Sequence, residues 1–366
     1  MSGAPLSVLP RAENDADNQA DPARRGAPRK RRDADRGFSS GPASDDDHTP
    51  RRVAILTDET GWHTTRLRQA LARRGFAGRC ADLEACRFDT SRRGPGLLIP
   101  GFGRALPVAA IVRGIAGGSL EQVTKRLGIL HALRELGVPV YNDARAIERS
   151  VDKSMTSFLL HRAGIATPPT WAMESTAQAR RLVIAETAAG HSLVLKPLFG
   201  SQGKGLQRVG WVDGTPVPLP DLAPYGGLAY LQRFVPQPEG PGAPGFDWRV
   251  LVVGGRALAA MRRVSAHWVR NVAQGARCQV APLTPALASL AEGAAAALGM
   301  DYAGVDLVPD ASAPLGAQVL EVNGVAAWRG LQSVTGFDIA QAMVDDLLER
   351  RLGLAGGAAT ALARAG

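Results

Sequence analysis

The feature that most restricts how this chain can fold is a glycine-rich segment between two β-type runs, Leu193 to Gln207. A P-loop would need four residues between its first glycine and the Gly-Lys pair, followed by a hydroxyl residue and a helix. Here only two residues separate Gly200 from Gly203, a glycine follows Lys204, and the next run, LQRVGWV, is again β-type. The segment is therefore predicted to be a turn between antiparallel strands, with Lys196 on the strand that leads into it.

Such a turn can lay its backbone N–H groups over a polyphosphate, because glycine allows close approach and positive φ. An ordinary flexible hairpin would contain the same glycines, so the lysines supply the further argument. Of the 43 basic residues only five are lysine, and Lys153, Lys196 and Lys204 all fall in this part of the chain. A compact ammonium fits between phosphate oxygens where the broad guanidinium does not. The lysines therefore favour a phosphate site.

Two later β-type runs carry oxygen-bearing side chains. GVDLV places Asp306 on a strand, and VLEVNG places Glu321 and Asn323 on one face of the next strand. Leu320 and Val322 are expected to face the core. If the two strands pair, two carboxylates and one amide converge, and such all-oxygen ligation suits Mg²⁺. A solvated strand face is the alternative for Glu321 and Asn323 viewed alone.

Periodicity divides the chain into two ordered parts and two tails. Residues 1–50 have almost no periodic hydrophobicity and are predicted to be a disordered tail, and 353–366 are predicted to be a flexible one. Residues 51–141 alternate the β-type runs RVAILTD, GLLIPGFG and VPVYN with helices, the second of which has a capping-box signal beginning at Ser119. This pattern predicts a small parallel-sheet domain. Residues 142–352 contain helices and β-type runs, two of them joined by a Gly-Gly hairpin signal in VVGGRAL.

Composition narrows the class of protein. The net charge of +9 comes from scattered arginines, which favours small anionic ligands and predicts no nucleic-acid partner. The three cysteines form no C-x-x-C pair, so the chain is expected in the reducing cytoplasm. No apolar run approaches the ~20 residues of a membrane span, and no signal-peptide core is present, so no membrane partner is expected.

Taken in order, a helix-borne lysine, a strand-borne lysine, a glycine turn, LQRFV, FDWRVLVVG, GVDLV and LEVNG resemble the ATP-grasp superfamily and, within it, the RimK-like α-L-glutamate ligases. The resemblance covers roughly 138–350. It implies an α/β fold of the α+β ATP-grasp type. A small parallel-sheet N-terminal domain would precede a two-subdomain ATP-grasp domain with an antiparallel sheet and a glycine-rich lid over about 167–235.

The resemblance also implies roles for particular residues. Mg²⁺, for which Mn²⁺ can substitute, would be held by Asp306, Glu321 and Asn323. The transferred phosphoryl group or a substrate carboxylate would be held by Arg249, Arg263 and Arg270. ATP would be bound by Lys153, Lys196, Gly200, Ser201, Gln202, Gly203, Gly205, Gln232, Arg233, Phe234, Val235, Asp247 and Asn271.

This chain departs from the family pattern at three places. Arg233 and Phe234 stand where an acidic residue and an aromatic are common, and Val269 stands where an arginine is expected. GVAAWRGLQ follows Asn323 in place of the common Asn-Ala-Ser-Pro run. In this last segment the chain resembles RimK-like enzymes found with tetrahydromethanopterin biosynthesis.

The activity implied by the resemblance is ATP-dependent ligation of a carboxylate to an amine through an acyl-phosphate. The expected substrates are ATP, L-glutamate and a small carboxylate acceptor of the pterin-cofactor kind. A protein C-terminus as acceptor, a nucleotide-binding regulatory module without catalysis, and a homo-oligomeric state are left open.

Overall fold

The structure is a computed structural model that describes residues 51–91, 93–200, 202–237 and 244–354. Residues 1–50 and 355–366, on which the two tail predictions mainly rest, lie outside these ranges, as does Ser201. No helix in the described ranges is both long enough and apolar enough to cross a lipid bilayer.

The N-terminal part is a four-stranded parallel sheet in the order β2-β1-β5-β6, as predicted in class. The helix that begins after Ser119 has its capping box, because Ser119 N donates to Gln122 Oε1 at 3.0 Å and Gln122 N to Ser119 Oγ at 3.4 Å. The elements are β1 Arg52–Leu56, α1 Trp62–Arg73, β2 Ala77–Ala81, β3 Arg87–Phe88, β4 Leu97–Leu98, β5 Ala109–Val112, α2 Leu120–Glu135 and β6 Val140–Tyr141.

One expected strand of this sheet lies elsewhere. GLLIPGFG contributes only β4, which pairs antiparallel with β3 in a separate two-stranded ribbon. The strands beside β1 are β2 and β5, and all four residues of β5 are buried. A central parallel strand is covered on both faces, so a short run of small apolar residues suits it better than the longer run that sequence periodicity favoured.

The second sheet is antiparallel and carries the predicted glycine-rich hairpin between β8 and β9. Its strand order is β10-β9-β8-β11-β7. Two helices precede it, α3 Ala144–Val151 and α4 Lys153–Arg162. The remaining elements are β7 Thr170–Met173, α5 Thr176–Ala188, β8 Ser192–Lys196, β9 Gln207–Val212, β10 Thr215–Val217 and β11 Ala229–Arg233.

The third sheet, also antiparallel, has the order β14-β13-β12-β15-β16. The predicted Gly-Gly hairpin joins β12 to β13, and both glycines have positive φ. Helix α6 packs its buried alanines and leucines on one face of this sheet. This helix was not predicted from the sequence. The elements are β12 Phe246–Val253, β13 Arg256–Val264, β14 Arg277–Ala281, α6 Pro285–Leu298, β15 Tyr302–Pro309, β16 Ala317–Asn323, α7 Arg329–Gln332 and α8 Ile339–Asp346.

The first and third sheets share one hydrophobic core, with α8 packed between α1 and β12. At their junction Asn142 is fully buried, and its amide bonds to four backbone groups. Nδ2 donates to the carbonyls of Tyr302 and Gly324 at 2.7 and 2.6 Å, and Oδ1 accepts from the N–H groups of Asp301 and Tyr302 at 2.6 and 3.0 Å. One side chain thus fixes the start of β15 and the exit of β16.

Asn142→Asp is expected to lower the free energy of unfolding by roughly 3 kcal/mol or more, because a carboxylate cannot donate to the two buried carbonyls. The control is Gln178→Glu, the same amide-to-acid change at an exposed position of α5, where a change within about 0.5 kcal/mol is expected. Urea unfolding followed by circular dichroism measures both. Equal midpoints for the two variants would contradict the role given to Asn142.

Candidate active site

A pocket lies between the second and third sheets, roofed by the glycine-rich turn. It gathers twelve predicted residues from strands of both sheets and from the segments that follow them, namely Lys196, Gly203, Gln232, Arg233, Phe234, Val235, Asp247, Arg263, Arg270, Asn271, Asp306 and Glu321. The sequence analysis did not assign the other lining residues, which are Val194, Leu206, Trp268, Val269, Val308 and Leu320. Most of these are apolar. Apart from Val269, which departs from the family pattern, their only sequence signal was a position within two residues of a predicted site residue.

The pocket floor contains the oxygen-bearing side chains of β15 and β16. Asp306 lies directly across from Glu321 in the ladder, and Asn323 Nδ2 is 3.5 Å from Asp306 Oδ2. A register shift after Asp306 leaves Leu320 without a cross-strand partner. The expectation that Leu320 faces the core is therefore wrong, because this bulge turns it into the pocket beside Glu321.

Two buried arginines hold Asp306. Arg249 donates from Nε and Nη2 to the two Asp306 oxygens at 2.8 and 2.9 Å. Arg263 binds Asp247 in the same bidentate way at 2.7 and 2.8 Å, and its Nη2 is also 3.0 Å from Asp306 Oδ2. Burial alone would raise the pKa of Asp306, but the charges of Arg249 and Arg263 outweigh it and hold the pKa below its usual value. Asp306 is thus kept ionised, as a metal ligand must be.

The two lysines meet near Glu321. Lys196 Nζ donates to Gln232 Oε1 at 2.6 Å. Burial lowers the pKa of Lys196 to about 8, with Lys153 contributing in the same direction and the carboxylates of Glu321 and Asp306 opposing. Lys153 Nζ lies 3.7 Å from Glu321 Oε1 and donates to the carbonyl of Gly200 at 2.7 Å. The helix-borne lysine therefore connects the glycine turn to the acidic floor.

The glycine turn is closed against the segment that follows β13. Gln274 Nε2 donates to the carbonyl of Gln202 at 2.7 Å. Gly203 has a φ of +67°, and a Cβ there would come within 2.5 Å of Val269 Cγ1, so only glycine fits. The carbonyl of Gly205 accepts from the hydroxyl of Tyr225 at 2.9 Å.

The end of β11 and the segment that follows it form one wall of the pocket. The guanidinium of Arg233 is held by Glu186 at 3.0 and 2.9 Å, and Phe234 lies between Arg208 and the edge of Trp268. Asn271 lines the pocket, but its Oδ1 caps the next turn by accepting from Ala273 N at 2.9 Å.

The donor set fits a magnesium nucleotide. No group of three His, Cys, Asp or Glu side chains forms a metal cage in the described ranges. Two carboxylates with one amide suit Mg²⁺, which usually takes few protein ligands and shares substrate phosphates. Asp306 Oδ1 keeps a second lone pair beside its bond to Arg249, whereas Oδ2 lies within bonding distance of both Arg249 and Arg263. The lysines can meet phosphates, and Val194, Leu206, Val308 and Leu320 offer an apolar wall for a base.

Comparison with known proteins agrees with this geometry. Residues 52–147 match the RimK PreATP-grasp domain, and 150–347 match the RimK-like ATP-grasp domain. The solved structure of the ATP-grasp ligase PsnB, complexed with a phosphomimetic variant of its minimal precursor, Mg and ADP, superposes with a TM-score of 0.61 at 20% identity. The alignment covers 81% of this chain and 98% of that chain.

Curated relatives are more similar in sequence. The tetrahydromethanopterin:α-L-glutamate ligase of Methanosarcina acetivorans is 31% identical over 80% of this chain and 97% of its own length. The protein of the same name from Methanococcus maripaludis is 35% identical over 65% of this chain and 78% of its own length. This chain therefore belongs to the RimK-like ATP-grasp family and is an ATP-dependent carboxylate–amine ligase.

Proposed function

We propose that this ligase joins the amine of L-glutamate to the carboxylate of a small acceptor of the tetrahydromethanopterin kind. The names of its curated relatives supply both substrates. The observation that carries the proposal is the convergence of Lys196, Asp306 and Glu321 in one pocket beneath the glycine turn, with Lys153 Nζ 3.7 Å from Glu321 Oε1. The lysines would balance the negative charge of a nucleotide and the carboxylates the positive charge of a metal ion, and no protein nucleophile is needed.

Asp306, Glu321 and Asn323 would hold Mg²⁺, or Mn²⁺ in its place, because both ions accept carboxylate and amide oxygens. When bound, the ion would neutralise phosphate charge and orient the phosphates. Lys153 and Lys196 would add positive charge at the same point, preorganised by Gly200 and Gln232.

The three arginines divide into two roles. Arg263 and Arg270 reach the pocket and would hold the transferred phosphoryl group or a substrate carboxylate. The bidentate bond of Arg249 to Asp306 makes it a positioning residue for the metal ligand. Asp247 orients Arg263 in the same manner.

The nucleotide base would lie against the strand exit Gln232–Val235 and the turn around Asn271. The turn residues Gly200 to Gly205, including Ser201, would cover its phosphates. The site would form where the proposed lid, about 167–235, meets the rest of the proposed ATP-grasp domain, 142–352. A cytoplasmic location is proposed as well, since the three cysteines are free thiols.

The proposal is tested by supplying the purified protein with Mg-ATP, labelled L-glutamate and tetrahydromethanopterin. Release of ADP that depends on both substrates, with a glutamylated pterin in the mass spectrum, is the expected result. ADP release that depends on glutamate but not on this acceptor would contradict the acceptor assignment. Nucleotide binding without any ADP release would contradict the ligase assignment.

Glu321→Gln is expected to reduce kcat by at least roughly a hundredfold, because an amide cannot supply the negative charge that the metal requires. The melting temperature should stay within a few degrees, since the amide is nearly the same size. Glu174→Gln, at an exposed position, serves as the matched control and should retain full activity. Near-normal activity of Glu321→Gln in Mg²⁺ would refute the metal assignment.

Affinity for a non-hydrolysable ATP analogue is expected to fall by up to roughly tenfold between pH 7 and pH 9. The pKa of Lys196 is lowered to about 8, so the ammonium that meets phosphate is charged below this pH and is lost above it. Lys196→Met should bind the analogue weakly at both pH values, with no fall in affinity between them. Lys204→Met should show the same fall in affinity as the wild type. Calorimetric titration at the two pH values measures the effect, and a pH-independent wild type would contradict it.

A further inference from the structure

A second group of polar side chains lies outside the nucleotide pocket, at the carboxyl edge of the parallel sheet. Arg113 directly follows β5, is only 1% exposed, and donates from Nη1 to the carbonyl of Val325 at 3.3 Å. Val325 is two residues beyond Asn323, a chain distance of about 7 Å at most. In open parallel sheets ligands bind beyond the carboxyl ends of the strands. Arg113 therefore lies where a second substrate can approach the metal site.

Two nitrogens of this guanidinium have no hydrogen-bond partner among the described residues, and the Tyr302 hydroxyl lies close enough to interact with the side chain. Nε and Nη2 of Arg113 make no hydrogen bond to any residue that the structure describes. Arg249 and Arg263 use this same pair of nitrogens to bind Asp306 and Asp247. A guanidinium buried without a counter-charge is costly, and its Nε–Nη2 edge matches a carboxylate in geometry. The missing partner is thus expected to be a carboxylate.

Aromatic rings surround the same place. The rings of Trp62, His63 and Trp328 lie 4.7–5.0 Å apart, and Trp328 Nε1 is also without a hydrogen-bond partner among the described residues. An indole N–H can only donate. Burial, followed by the charges of Arg113 and Arg329, lowers the pKa of His63 to about 3, so its ring is neutral. The group therefore offers the N–H groups of Arg113 and Trp328 together with the positive charge of Arg113.

We propose that Arg113, assisted by Trp328 Nε1, binds a carboxylate of one of the two non-nucleotide substrates. This inference rests on the proposed function and deepens it by locating the substrate. On the solvent side of this group lies the half-buried ring of Trp62, with the guanidinium of the exposed Arg329 6.0 Å from its centroid. The carboxylate belongs either to L-glutamate or to the acceptor, and binding experiments separate these sources.

The test compares wild type with Arg113→Met and Arg113→Lys. The probes are L-glutamate, tetrahydromethanopterin and glutarate, which carries carboxylates but no amine. At least one probe is expected to bind Arg113→Met roughly tenfold to a hundredfold more weakly, with an intermediate loss for lysine, while the affinity for the ATP analogue stays within twofold. Loss for glutamate alone would identify the amino acid as the ligand, and loss for the pterin alone would identify the acceptor.

Stability separates binding from a structural role. Removing an unpaired buried charge should leave the melting temperature of ligand-free Arg113→Met unchanged or raised. Arg126→Met is the matched control, because Arg126 is equally buried but donates to the carbonyls of Ala116 and Gly117 at 2.7 and 2.9 Å, so its loss should lower the melting temperature. A lowered melting temperature of Arg113→Met with all three affinities unchanged would overturn the inference.

Failure of the ligase assignment would be seen separately. If wild type makes no glutamylated product but Arg113→Met loses glutarate binding, the carboxylate site stands and the proposed reaction falls. If wild type binds none of the three probes, the carboxylate site itself is refuted.

Discussion

The pocket depends on a set of buried charges that fix the register of three neighbouring strands. Arg249 lies opposite Asp306 across β12 and β15, and Asp247 lies opposite Arg263 across β12 and β13. Removing any one partner would leave a buried charge uncompensated, which is strongly destabilising. A one-residue slip of either pairing would turn these side chains to the opposite face. The same contacts that make the floor acidic and ionised therefore also hold the sheet in register.

The N-terminal sheet is coupled to this floor through a shared core and through Asn142. The buried amide fixes Tyr302 at the start of β15 and Gly324 just beyond Asn323. Strands β15 and β16 supply the metal-ligand candidates, so their placement depends on a residue distant in sequence. Arg113 contacts the same strand exit through Val325. The proposed substrate and nucleotide sites would consequently share one continuous hydrogen-bonded frame.

Residues that form a recognisable motif along the chain could be predicted from the sequence. Residues whose role depends on a contact with a distant strand could not. The order of Lys153, Lys196, the glycine turn and the acidic run was enough to identify the family and the antiparallel lid. It could not reveal the bulge at Leu320 or the commitment of Arg249 to Asp306, because both depend on which strands pair and in what register. Strand β5 and helix α6 were missed because small apolar residues give weak periodicity. Arg113 was one of many arginines until its surroundings were known.

Among the described residues, three side chains donate hydrogen bonds to the carbonyls of the glycine turn: Lys153 to Gly200, Gln274 to Gln202 and Tyr225 to Gly205. The surface of Gly203, which has no side chain, lies against Val269. Breaking one such bond costs only about 1 kcal/mol. These bonds are separate from the ion pairs Arg249–Asp306 and Arg263–Asp247, so lifting the turn for nucleotide exchange would leave the costly ion pairs of the floor intact.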